Sequence, residues 1–62
     1  MAYEIVLRTA DGRESSRVGE RAQAVGDRIK IDSREWVVVA LEPPRLRGTS
    51  GRIVCVSAPP KR

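Results

Sequence analysis

The stretch Asp27-Arg28-Ile29-Lys30-Ile31-Asp32-Ser33-Arg34-Glu35-Trp36-Val37-Val38-Val39-Ala40-Leu41-Glu42-Pro43-Pro44 contains two runs joined by a polar turn. In the first run Ile29 and Ile31 alternate with Arg28 and Lys30, the period-two pattern of a strand with one buried face. The second, residues 36–42, is the most apolar piece of the chain and rich in β-branched side chains, which are stiff at χ1 and suit a pleated surface. Residues 32–35 between them are of turn size and composition. Pro43 and Pro44 end the second run, because proline cannot donate to a ladder and restricts the residue before it. The two runs are predicted as the third and fourth strands of a sheet, with the fourth at its centre.

Toward the N-terminus, residues 2–9 alternate again, with Tyr3, Ile5 and Leu7 on one side and Glu4, Val6 and Arg8 on the other. Asp11-Gly12 then predicts a tight hairpin turn, because both central residues tolerate positive φ. The return strand, residues 13–18, is polar, as suits an exposed edge. Residues 19–26 (GERAQAVG) have weak helical leanings and are too few for a stable helix, so they read as a connector. On the C-terminal side, the nine residues 43–51 (PPRLRGTSG) form a loop, residues 52–58 a fifth strand, and residues 59–62 a basic tail expected to fray.

Five short strands joined mostly by tight turns predict an all-β fold: a small five-stranded antiparallel barrel or strongly bent sheet, in one domain spanning residues 1–58. VGDRIKIDSREWVVVALEPP followed by GRIVCVSAP resembles the SH3-like barrels, in which a GDxVxV strand, a short turn, a long apolar strand and a Gly-led return strand recur. The resemblance covers roughly residues 25–59 and implies the superfold alone, since that superfold hosts many unrelated functions. The opening hairpin would also suit a β-grasp fold, but the connector is too short for its helix.

Composition removes most catalytic constellations. Among 62 residues there is no His, no Phe and a single Cys. Neither a Ser-His-Asp nor a Cys-His arrangement can be built, and the ligand set of a zinc site is missing, so no metal and no cofactor are expected. The carboxylates fall mostly at turns and strand ends, and none pairs with another for acid–base work. A lone Cys forms no internal disulfide, which favours a reducing, cytoplasmic setting, and Cys55 reads as a buried thiol. The longest apolar run is the six residues 36–41, against about 20 for a membrane span, so no membrane partner is expected.

Charge is the first functional signal. Residues 43–62 carry five basic residues, Arg45, Arg47, Arg52, Lys61 and Arg62, and no acidic one, whereas residues 1–42 carry seven basic and eight acidic. Such asymmetry can be the footprint of a polyanion partner such as nucleic acid, and the five would then contact phosphates without base specificity. An arginine-biased genome is the competing explanation, since ten Arg stand against two Lys. The amides around residues 48–51 could add a small anion nest, and Leu46, between two arginines, could be a wedge or simply pack the loop down.

The second signal is a surplus of apolar surface. Residues 36–41 are apolar on both faces, Trp36, Val38 and Ala40 on one and Val37, Val39 and Leu41 on the other, while a small barrel has one core face. The outer set is covered either by the chain itself or by another molecule, a second copy or a different protein. Trp36 could be a stacking platform or the centre of the core. Two classes of function follow: a non-enzymatic basic binding module for nucleic acid, or a protein-interaction or homo-oligomeric module working through Val37, Val39 and Leu41.

Overall fold

The computed structural model describes residues 1–58. Five strands follow one another, β1 (Tyr3–Arg8), β2 (Glu14–Gly19), β3 (Arg28–Ile31), β4 (Arg34–Glu42) and β5 (Arg52–Ser57), and no helix is present among them. They form one sheet in the order β2-β1-β5-β4-β3. The all-β expectation holds, with each strand within two residues of its predicted bounds.

Two expectations about the sheet are corrected. It is mixed rather than antiparallel, because β1 and β5 pair in parallel, with Ile5 opposite Ile53 and Leu7 opposite Cys55. The reason is parity: five strands that alternate in direction leave the first and fifth running the same way, and curling the sheet brings those two side by side. For the same reason β5, not β4, is the central strand, flanked by β1 and β4.

The curl is strong. Strands β2 and β3 lie at opposite edges, four spacings or roughly 19 Å apart in a flat sheet, yet the Arg17 guanidinium on β2 donates to the Asp32 carboxylate just past β3 at 2.9 Å. Two side chains cannot span a flat sheet, so the edges have swung toward each other into a half-barrel. Its inner face holds Leu7, Trp36, Val38, Ile53 and Cys55, all buried, with Tyr3, Ile5, Ile29 and Ile31 packed against them.

Turn chemistry fixes the hairpins. Asp32 and Ser33 both have positive φ, 54° and 66°, so β3 and β4 are joined by a two-residue turn of the I′ kind that matches strand twist. The first hairpin differs from its reading: only Gly12 is at positive φ (87°), and the Gly12 amide donates to the Thr9 carbonyl. Asp-Gly is thus the end of a three-residue connection, a type I turn closed by a left-handed glycine. Its Asp11 carboxylate accepts from the Thr9 hydroxyl and from the Arg13 amide. The connector ends in a further turn, in which the Asp27 amide donates to the Ala24 carbonyl and Gly26 takes the third position at φ 97°.

Candidate functional site

Of the five basic residues singled out in the sequence, the structure describes Arg45, Arg47 and Arg52, and these differ in setting. Arg45 and Arg47 are exposed on the β4–β5 loop, where the Thr49 amide and hydroxyl both donate to the Leu46 carbonyl and the Ser50 amide donates to the Ala2 carbonyl. Neither has an acidic partner among the described residues. Arg52 begins β5 and is withdrawn from the surface, its side chain only 16% exposed. Lys61 and Arg62 lie outside the described residues.

Arg52 is held by its cross-strand neighbours. It faces Glu4 of β1 on one side and Glu42 of β4 on the other, with Nη1 at 3.6 Å from Glu4 Oε1 and Nε at 3.2 Å from Glu42 Oε1. The contacts are charge pairs rather than aligned hydrogen bonds, and Glu4 Oε1 and Arg52 Nε remain buried without a hydrogen-bond partner. Arg52 therefore neutralises two carboxylates of its own sheet. Four further arginines are similarly engaged, Arg8 with Glu14, Arg13 with Asp11, Arg17 with Asp32 and Arg28 with Glu35.

The apolar set Val37, Val39 and Leu41 is split by a β-bulge. Val38 stands opposite Cys55 and Ala40 opposite Val54, so Val39 is the extra residue and every side chain after it changes face. Val37 stays on the outer face, Val39 projects from the bulge, and Leu41 turns to the inner side opposite Ile53. Much of the expected surplus is covered by the chain itself: Val6 and Val54, paired on the outer face, are 3% and 4% exposed. Trp36 belongs to the core, its indole N–H directed at the Ile31 carbonyl. Cys55 is fully buried, and burial pushes its thiol pKa up, away from reactive thiolate.

What the bulge leaves is an open edge. The Gly26 amide donates to the Val38 carbonyl and the Val38 amide to the Asp27 carbonyl; beyond Val38, residues 39–42 have no ladder partner on the β3 side among the described residues. The other edges are blunted, β2 by the exposed polar run Glu14 to Arg17 that precedes an exposed Val18, and β3 by outward Arg28 and Lys30. Residues 39–42 instead carry Val39 and Leu41, about half exposed. Beside them lies a cavity of about 290 Å³ lined by Tyr3, Leu41, Ile53, Ala22 and Gln23 among others.

A second feature, missed by reading charge along the chain, joins the two hairpin turns. Arg13 and Arg34 line one open cleft of about 420 Å³ with Thr9, Asp11 and Ser57. The Thr9 hydroxyl, then the Arg13 amide, hold the Asp11 carboxyl below its ordinary pKa, with a smaller contribution from Arg34. The two arginines are 21 positions apart in sequence, and only strand pairing brings them together. Among the described residues no cluster of His, Cys, Asp and Glu has metal-binding geometry, and no helix is long and apolar enough to cross a membrane. Comparison with protein-family models, with curated proteins and with solved structures returns no match.

Proposed function

We propose that this chain is a non-enzymatic binding module that docks another protein along the open edge of β4, and that its half-barrel is a small SH3-like barrel left open at the seam between β2 and β3. The observation that carries the docking reading is the contrast between edges: that of β3 is charged and that of β2 is polar over Glu14 to Arg17, with Val18 its one exposed apolar residue, whereas residues 39–42 lack a ladder partner on the β3 side and carry two, Val39 and Leu41. An apolar edge without such protection is a template for a further strand. The SH3-like reading draws support from the tight Asp32-Ser33 turn before a long apolar strand and from the meander curling toward closure.

A photo-crosslinking side chain placed at Val39, in cells expressing the protein, tests the docking reading against the same group at Ser15 on the blunted edge. Discrete adducts from position 39 and none from position 15 are expected; equal or absent adducts overturn it.

A nucleic-acid reading keeps one favouring observation, the two unpaired arginines Arg45 and Arg47 on an exposed loop. With Arg52 withdrawn, at most four of the original five basic residues are left to contact phosphates. Anisotropy with duplex DNA across a salt series should then give a log–log slope no steeper than about −3.6. No binding at low salt removes this reading.

A further inference from the structure

Extending the docking reading above, we infer that the ligand of the β4 edge is an extended acidic–apolar peptide segment of a partner protein, added antiparallel to residues 39–42. Three features along one line of chain specify it. The unpaired backbone of residues 39–42 supplies donors and acceptors for one more strand, the general mode in which main-chain bonds give affinity and side-chain pockets give specificity. The cavity beside that backbone is lined by Tyr3, Leu41 and Ile53 as well as by Glu42 and Arg52, and its apolar part can take an apolar side chain on alternate positions of the added strand. Arg45 and Arg47 follow Glu42 by three and five residues, are exposed, and meet no carboxylate among the described residues.

A strand running antiparallel to β4 places its N-terminal residues toward the Glu42 end of β4, where the loop that carries Arg45 and Arg47 begins, and its C-terminal ones toward Val39. The ligand therefore has acidic residues first and alternating apolar residues after them. Charge decides the occupant. A second copy paired edge to edge would set Glu42 opposite Val39 and leave both arginines of each copy unmatched. An acidic segment matches both the edge and the loop.

The test uses the full chain and a fluorescein-labelled peptide, Asp-Glu-Asp-Gly-Leu-Thr-Val-Thr, against two controls: the same peptide with lysines for its acidic residues, and the same residues in reverse order. The acidic peptide is expected to bind at least tenfold tighter than either control, and to slow amide exchange at residues 39–42. Arg45→Ala with Arg47→Ala should abolish the preference over the lysine peptide while leaving weak binding to both. Leu41→Ala should weaken both at least fivefold, its folding being checked by exchange of the β5 amides. Equal binding of the three peptides, or none up to millimolar concentration, overturns the inference. So does protection of the edge amides without peptide together with a doubled mass in light scattering, which would seat a second copy there. Discrete adducts from position 39 combined with failure of the acidic peptide would leave the docking reading standing and remove this ligand; absence of adducts removes both.

Discussion

Arg17 and Asp32, fifteen residues apart and on opposite edges of the sheet, form an ion pair at 2.9 Å across the mouth of the half-barrel. Arg17 stands opposite Ile5, on the inner side of β2. The pair marks where β2 and β3 would meet if the barrel closed. Both partners are substantially exposed, 46% and 70%, so water and salt screen the attraction. A double-mutant cycle with Arg17→Ala and Asp32→Asn should give a coupling below about 1 kcal/mol that shrinks in 1 M salt. Because Asn also suits the left-handed turn position, only the coupling, in which that effect cancels, is diagnostic. A salt-insensitive coupling above about 2 kcal/mol in urea denaturation would show that the pair sets the curl rather than reporting it.

The Asp32-Ser33 turn holds two side-chain-bearing residues at positive φ. A serine there carries conformational strain that glycine avoids, partly offset by the greater freedom glycine has in the unfolded chain. Ser33→Gly should therefore raise stability by about 0.5–1 kcal/mol. The converse holds at Gly26, whose φ of 97° an L-residue rarely adopts although a Cβ would meet no atom within 4 Å. Gly26→Ala should cost about 1–2 kcal/mol with no steric clash to relieve. Urea midpoints of the two variants moving in the same direction would contradict this account of the turns.

The strands and the inner core were readable because their signals are local. The alternation of Tyr3, Ile5 and Leu7, and of Ile29 and Ile31, names residues that pack on one face. What escaped depends on two or more segments at once. The parallel β1–β5 pair follows from strand parity plus curl, and the sequence of β5 carries no mark of it. The bulge at Val39 sits in a run apolar on both sides, with no glycine to announce it, so the change of face at Ala40 and Leu41 was invisible. Likewise Arg52 looked like Arg45 and Arg47 until pairing set it between Glu4 and Glu42.

Asp11 gives the first hairpin a pH dependence. Its folded pKa lies below that of an ordinary aspartate, because the Thr9 hydroxyl and Arg13 amide bond the charged form. A depressed carboxylate contributes stability that is present above its unfolded pKa and lost as pH falls through the folded one. The hairpin should thus weaken below about pH 4, and Asp11→Asn, which keeps an acceptor for the Arg13 amide, should flatten that part of the profile. A Tm-versus-pH curve between pH 2 and 5 that is identical for both proteins would remove Asp11 as the source.

Arg52 separates structural from ligand-binding arginine. Its side chain and that of Glu4 are 16% and 15% exposed, so removing the guanidinium leaves a mostly buried carboxylate facing no counter-charge. Arg52→Met, which keeps the aliphatic stem, should cost about 1–3 kcal/mol. Adding Glu4→Gln should recover part of that loss, since the stranded charge goes with it. If Arg52 contacted phosphate instead, the variant would stay near wild-type stability and the salt slope of DNA binding would fall by about 0.9. Chemical denaturation and anisotropy on the same two variants distinguish the outcomes. Lost stability with an unchanged slope means that Arg52 serves the sheet and leaves the contact with any electrostatic ligand to the other basic residues.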